Sequence, residues 1–282
     1  MIKSSTVKYT ELIKQRLYYY VKNCESSSKK LIESILYSLL PGGKFLRSLL
    51  TVDFCKLCNG SLESALPLAC SVEMIHTYSL IHDDLPCMDN DFMRRGKPSN
   101  HVVNGEDFAV LAGDALLSLA IEILTLDSTL NVLGAKKSFS AIKTLINSCG
   151  VSGMVDGQAL DIEYKNDRQS IFLKENFTLK ETYLKKTGKL FGAACALGCI
   201  AAGANDEKIN IAKNFGQTIG VIYQTLDDLE DKELNNENIK SSKFILKELI
   251  NKAMDLLSAF NDVKCNYSMH LINELKLKAD KF

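Results

Sequence analysis

Two short stretches dense in carboxylates, each entered directly from an apolar run, constrain this chain more than any other feature. The first, residues 81–95, reads IHDDLPCMDNDFMRR and sets Asp83, Asp84, Asp89 and Asp91 beside Arg94 and Arg95. Carboxylates so close repel one another unless a cation intervenes, and hard oxygen ligands that leave most of the shell to water and phosphate suit Mg²⁺. That combination implies a diphosphate-bearing substrate. The preceding residues 74–80 are helix-like, and Pro86 with Cys87 interrupts the register, so a bulge can bring Asp89 back toward Asp83. Taken alone, such a charge run is also what a solvated helix end looks like.

The second stretch, residues 223–231, reads YQTLDDLED and follows the apolar run 218–222. Asp227 and Asp231 are four apart, which on a helix puts both on one face, one turn from each other, where they can share a metal. Two such clusters facing each other across a helical bundle would bracket a diphosphate with metal on both sides. The second cluster therefore favours a site over a solvated helix end.

Between these stretches the pattern is helical. With 4 Pro and 16 Gly in 282 residues, long stretches of 3.6-residue period and no series of short alternating strands, the chain is expected to be all-α. The expectation is a single domain over residues 1–282, roughly ten helices around a deep central cavity, with the acidic clusters at its mouth. The 34 basic and 34 acidic residues cancel, so nothing suggests a nucleic-acid partner or a strongly basic membrane surface. No stretch reaches the ~20 apolar residues of a membrane span. The opening MIKSSTVKYTELIKQ lacks an apolar core of signal-peptide length, and a soluble, cytoplasmic protein is expected.

Nine cysteines, an odd count scattered through helical segments, fit free thiols in a reducing compartment better than a disulfide framework. Cys55-Lys56-Leu57-Cys58 is a lone CxxC, and Cys195 and Cys199 stand four apart among small apolar residues. Both pairs are read as buried core thiols in preference to a zinc or redox site.

In chain order, helices are expected over residues 9–23 and 31–40, with the serines at 26–28 supplying a cap. Pro41-Gly42-Gly43 stops the second helix, and a third is expected to open with Lys44, Phe45, Leu46 and Arg47. Lys44 and Arg47 would then share a face beside glycines that allow close backbone approach. Cations at a helix start are disfavoured by its dipole. Their presence argues for a bound anion held by both charges and by the free N–H groups.

A long apolar helix over residues 66–81 carries His76, seven residues before Asp83 and so on about the same face, two turns below it. A lone histidine in such a helix is, on the residues alone, more often a core residue than a ligand. A polar loop over residues 96–101, including His101, and an apolar-periodic helix over 108–124 follow. If helical, Arg94 and Arg95 point in different directions and can serve one anion each, their forked guanidinium groups gripping phosphate oxygens bidentately. Gln158 and Asp161, three apart, would sit together on a later helix; an ordinary exposed face is the alternative for Asp161.

These residues carry a resemblance. Asp83-Asp84-Leu85-Pro86-Cys87-Met88-Asp89 resembles the first aspartate-rich motif, DDxxxxD, of the trans-isoprenyl diphosphate synthases, the family of farnesyl and geranylgeranyl diphosphate synthases. The expected Arg94-Arg95-Gly96 follows, and Asp227-Asp228-Leu229-Glu230-Asp231 resembles the second motif, DDxxD. Residues 42–47 resemble GGKxLR, 157–161 GQxxD, and 186–188 KTG, so the resemblance runs from about residue 42 to 231. It implies Mg²⁺ ions held with the diphosphate by Asp83, Asp84, Asp89, Asp227, Asp228 and Asp231. It further implies isopentenyl diphosphate on Lys44, Arg47, His76 and Arg95, and an allylic diphosphate on Arg94, Lys186, Thr187 and Gln224. Gln158 and Asp161 would line the cavity behind them. The implied reaction is head-to-tail condensation of the two diphosphates by a homodimer. Phe45 and Ser48 replace the Arg and Pro usual in the family.

Beyond residue 231 the chain departs from that pattern, reading KELNNENIKSSKFILKELINK without the Gly-Lys pair the family carries there. One allylic-diphosphate lysine is left unassigned; Lys232, Lys240 and Lys243 are the substitutes, with Lys243 preferred. A terpene cyclase would give no reason for a second anion site at Lys44 and Arg47. A non-catalytic partner subunit would be expected to lose an acidic cluster. Product length turns on Tyr78 and Ser79, five and four positions before Asp83, Tyr78 being about 7.5 Å along the axis. A bulky Tyr78 and the two-residue Pro86-Cys87 insertion resemble bacterial farnesyl synthases and predict a fifteen-carbon product. The wording LPCMDND and residues 94–100 resemble plant-type geranylgeranyl synthases, and a twenty-carbon product is the alternative.

Overall fold

The computed structural model describes residues 2–166, 181–230, 236–260 and 266–282, and the side chains of 5–163, 181–230, 243–260 and 266–282. The all-α expectation holds: thirteen α-helices, a π-helical turn and one two-stranded ribbon make up the regular structure of the described residues. The first helix, α1 (Ile2–Lys22), is longer than its periodic stretch, and α2 (Lys29–Leu39) starts at Ser28, whose hydroxyl accepts the Leu31 N–H at 3.2 Å. The third, α3 (Leu46–Leu57), starts two residues later than expected. Phe45 adopts a left-handed conformation (φ 52°) and buries its ring where a β-carbon at Gly42 would stand. Lys44 is thereby cut off from the helix and does not share a helical face with Arg47.

The central element is α4 (Leu62–Asp83), apolar on all sides and therefore buried from Ser64 to Ile75 without a break. Ser61 caps it, accepting the Ser64 N–H at 3.1 Å. After the ribbon of β1 (Met93–Arg94) and β2 (Lys97–Pro98) come α5 (Asn100–Asn104), α6 (Glu106–Glu122), α7 (Asp127–Leu133), α8 (Ala135–Cys149) and α9 (Met154–Asn166). His101, expected in a loop, is buried in α5. Past the π-helical turn Leu184–Gly188 stand α10 (Lys189–Ala202), α11 (Asp206–Glu230), α12 (Asn236–Leu257) and α13 (Tyr267–Ala279).

Two apolar cores meet on α3 and α10. One face of each, with Leu49, Val52, Ala194 and Leu197, joins the core around α4; the other, with Leu50, Phe54, Phe191 and Cys195, joins the core formed with α11 to α13. Such sharing needs close backbones, and α10 supplies them: a β-carbon at Gly198 would lie 2.8 Å from the Cys55 amide nitrogen. At the far end Asp53 of α3 accepts the Ser268 N–H at 2.9 Å and the Tyr267 N–H at 3.3 Å, so a side chain from another helix caps α13. Every cysteine among the described residues is a free thiol. Among those residues no single helix is long and apolar enough to cross a membrane.

Candidate active site

The apolar helix α4 delivers its last residue, Asp83, to the first cluster. The loop that follows folds back: the Asp89 N–H donates to the Asp83 carbonyl at 2.9 Å, and the Asn90 N–H, from a left-handed residue, donates to the Leu85 carbonyl at 3.1 Å. Pro86 and Cys87 are absorbed in the exposed bend, and Asp89 returns beside Asp83. Arg94 and Arg95 are not helical. Arg95 and Gly96 both have positive φ (55° and 75°) and form the two-residue turn of the β1–β2 hairpin, the primed geometry that matches strand twist.

That turn separates the two arginines. Arg94 Nε donates to Asp84 at 2.8 Å and its Nη2 to Asp91 at 2.8 Å, so buried Asp84 is held by Arg94. Arg95 reaches back across the glycine loop, where a β-carbon at Gly43 would lie 2.9 Å from its guanidinium. The Asp83 carboxyl is pushed up to about 6 by burial, against the charge of Lys186 and with that of Asp89.

A second set of groups lies on α3 and α4. Arg47 Nη1 is 3.4 Å from His76 Nε2, and its guanidinium carbon stands 4.1 Å from the centre of the Phe191 ring. Arginine can only donate, so His76 Nε2 is the acceptor and Nδ1 carries the proton. Burial, then Arg47 and Arg95, hold the His76 imidazole well below its usual range, which keeps it neutral. Burial also lowers Arg47, to about 10, against the pull of Glu73. Glu73, almost wholly buried in α4, accepts the Ser48 hydroxyl at 2.5 Å and is a counter-charge for both Arg47 and Arg95. Sequence reasoning missed Glu73. Its signal was a single acid in an apolar helix, three residues before His76.

The second aspartate cluster is built from separate elements. Gly157 brings α9 against the backbone of residues 185 and 186. Lys186 donates to Asp161 at 2.6 Å, and Thr187 donates to Gln224 Oε1 at 2.9 Å. Gln224 in turn donates to Asp228 Oδ1 at 2.9 Å, and the Tyr183 hydroxyl donates to the other Asp228 oxygen. The π-helical turn thus touches both clusters, since Lys186 also acts on Asp83 while its neighbour bonds toward Asp228. Asp227, on the same helix end, is close enough to Arg47 to act on its charge.

The family model for polyprenyl synthetases matches residues 28–243. The chain belongs to the polyprenyl synthetase family. It is 45% identical over 203 residues to the heterodimeric geranylgeranyl pyrophosphate synthase large subunit 1, chloroplastic, of Arabidopsis thaliana, a match covering 72% of this chain and 54% of that protein. It is 43% identical over 210 residues to the geranylgeranyl diphosphate synthase of Cyanophora paradoxa, covering 74% of this chain and 68% of that one. The chain spans little more than half the length of the A. thaliana relatives it matches, 54% and 59% for two of them. Among solved structures it resembles an FPP/GFPP synthase from Zymomonas mobilis, with TM-score 0.85, 32% identity and 99% and 98% of the two chains covered. A geranyltransferase from Legionella pneumophila gives TM-score 0.86 at 30% identity, covering 99% of this chain and 97% of that one.

Other residues of this polyprenyl synthetase chain fall as follows. Lys44 is exposed on the glycine loop; Gln158 Nε2 is enclosed without a hydrogen-bond partner, and its neighbour Asp161 is engaged by Lys186. Tyr78 is buried, its ring 5.8 Å from that of His82 in an edge-on contact, and the Ser79 hydroxyl donates to the His76 carbonyl at 3.0 Å. A cavity of about 340 Å³ lies on another face of α4, between Thr77, Ile81, Gly42 and Arg95, and neither Tyr78 nor Ser79 lines it. Asp231 and Lys232 lie outside the described residues, as does the side chain of Lys240; Lys243 is exposed on α12.

The donor set fits a metal that arrives with its phosphate. Among the described residues no three carboxylates, imidazoles or thiols are grouped as a cage. Asp83 and Asp89 are brought together by the backbone, which leaves most of an octahedral shell to water and phosphate oxygens, as Mg²⁺ prefers.

Proposed function

We propose that this chain is a Mg²⁺-dependent prenyltransferase that joins an allylic diphosphate to isopentenyl diphosphate head to tail, with geranylgeranyl diphosphate as its main product. The observation that carries the reading is the contrast between two anion sites. One is rich in carboxylates, with Asp83 and Asp89 in one cluster, Asp227 and Asp228 in the other, and Lys186, whose neighbour Thr187 bonds Gln224, acting on Asp83. The other is cationic around a neutral imidazole, with Arg47, His76 and Arg95. A diphosphate that leaves must have its developing charge neutralised, whereas one that stays attached only needs holding.

Mg²⁺ supplies that neutralisation when bound. Lys186, set by Asp161, adds a positive charge at the leaving group, and Thr187 and Gln224 orient it. Arg47 and Arg95, balanced by Glu73, hold the isopentenyl diphosphate, and His76 offers a neutral N–H donor. The alkene attacks the allylic cation, and the released diphosphate is basic enough to take the final proton, so no protein base is required.

The names of the relatives support twenty carbons over the fifteen that Tyr78 suggested. Tyr78 stands edge-on to His82 and does not line the cavity beside Thr77 and Arg95. We further propose a homodimer, with the exposed Val102, Val103, Val110, Leu111 and Leu117 of α5 and α6 facing the second copy. Purified protein incubated alone with Mg²⁺, isopentenyl diphosphate and an allylic diphosphate should yield mainly a twenty-carbon product. A fifteen-carbon product would restore the Tyr78 reading. No product without a second kind of chain would make this a subunit of a heteromeric enzyme.

A further inference from the structure

The cysteines that the sequence sets in two separate pairs meet across one helix contact. Two close approaches bracket the place: a β-carbon at Gly198 would lie 2.8 Å from the Cys55 nitrogen, and one at Gly60 would lie 2.7 Å from Ala202 Cβ. Between them, Cys58 at the end of α3 and Cys199 in α10 hold their Sγ atoms 3.6 Å apart. Cys58 is partly exposed, and Cys199 is fully buried. Cys55, the other member of the CxxC, is occupied elsewhere, its Sγ 3.4 Å from the Ser61 carbonyl and 3.7 Å from the Ser64 hydroxyl. The described residues offer no third ligand for a metal here, which disfavours zinc.

We propose that Cys58 and Cys199 are a redox modification site that closes to a disulfide on exposure to a peroxide and reopens with a dithiol. The backbones are already in contact, so only about 1.5 Å of sulfur movement separates the pair from a bond of ~2.05 Å. The two thiols differ in the way such a reaction needs. The contact with Cys199 lowers the Cys58 thiol against its burial, and Lys208 adds to the effect. The same contact, then burial, raises Cys199. Exposure assigns the roles: Cys58, the partly exposed thiol, is the one oxidant can reach, and fully buried Cys199 is the one that resolves.

In the first step the Cys58 thiolate attacks one peroxide oxygen, the O–O bond breaks, and the departing hydroxide takes a proton to leave as water. The sulfur is oxidised to a sulfenic acid. In the second step Cys199 sulfur attacks Cys58 sulfur, the S–O bond breaks, and the hydroxyl leaves as water with the Cys199 proton. A dithiol reverses the bond by exchange through a mixed disulfide.

The test uses the full chain, reduced, treated with hydrogen peroxide, alkylated and digested with trypsin. Cleavage after Lys56 parts Cys55 from Cys58, and fragmentation assigns the remaining thiols. The expected result is a Cys58–Cys199 crosslink with the loss of two hydrogen masses, absent after dithiothreitol. In Cys199→Ala, a dimedone-type reagent should label Cys58 as a trapped sulfenic acid. Both residues alkylated in the peroxide-treated wild type, a bond between Cys55 and Cys58 instead, or an unlabelled Cys58 in Cys199→Ala would overturn the proposal.

Discussion

Asp83 and Asp227 both stand where an apolar helix runs into acid, yet they are held by different means. Around Asp83 the geometry is local: the Asp89 N–H closes on the Asp83 carbonyl, and a two-residue turn a few positions later parts Arg94 from Arg95. Around Asp227 and Asp228 the support comes from far along the chain. Tyr183 is 45 residues from Asp228, and Thr187 is 37 from Gln224. The first cluster is a property of its own fifteen residues, whereas the second exists only once α9, the π-helical turn and α11 are docked. The proposed reaction uses both, so damage to distant packing should reach the second cluster before the first.

The largest effect is expected from Asp83→Ala or Asp227→Ala. Each should lower turnover by about a hundredfold or more, ~2.7 kcal/mol, with substrate affinity less affected, because charge develops mainly as the leaving group departs. Steady-state kinetics with Mg²⁺ would check it, and near-normal turnover in either variant would remove that residue from the site. Lys186→Ala comes next, at about tenfold to a hundredfold in turnover, since it breaks the 2.6 Å pair with Asp161 and removes the cation that acts most strongly on Asp83. If Lys186 links the clusters, its loss should weaken allylic diphosphate and leave the KM for isopentenyl diphosphate within about twofold.

Glu73→Gln sharpens the contrast from the other side. It keeps the shape and the hydrogen bond to Ser48 but removes the counter-charge of Arg47 and Arg95, so KM for isopentenyl diphosphate should rise about fivefold with turnover changed less. A purely structural role for Glu73 would lower the unfolding midpoint and affect both substrates alike. The smallest effect is expected at Lys185, whose partners Asp156 and Glu181 form a surface network beside the site: Lys185→Ala should leave turnover within about twofold.

The helices around the site were legible from their 3.6-residue period and their capping serines, and the return of Asp89 followed from the Pro86 interruption. What was not legible depended on single backbone angles. Nothing in Lys44-Phe45-Leu46-Arg47 announces that Phe45 turns left-handed, because the cause is the space its ring finds over Gly42. Arg95-Gly96 did carry a hairpin signal, a glycine at the second place of a two-residue turn, but the arginine before it masked the pattern. Glu73 and Ser48 meet 25 residues apart on two helices, and the sequence offers only an acid out of place and a serine where the family has proline. Product length was not legible for a related reason: counting back from Asp83 finds the face of Tyr78, while its contact with His82 depends on the rotamer.

The central claim is that two diphosphates are held by different chemistry, one through Mg²⁺ and carboxylates and one, without metal, through arginines and a neutral imidazole. Calorimetric titration of the wild-type chain with isopentenyl diphosphate and, separately, with an unreactive allylic diphosphate analogue, each with and without Mg²⁺, measures that difference. The account predicts that allylic binding is lost without Mg²⁺ and in Asp83→Ala, while isopentenyl diphosphate binding persists without the metal and is lost in Arg47→Ala. Equal dependence of both ligands on Mg²⁺, or equal loss of both in Arg47→Ala, would contradict it.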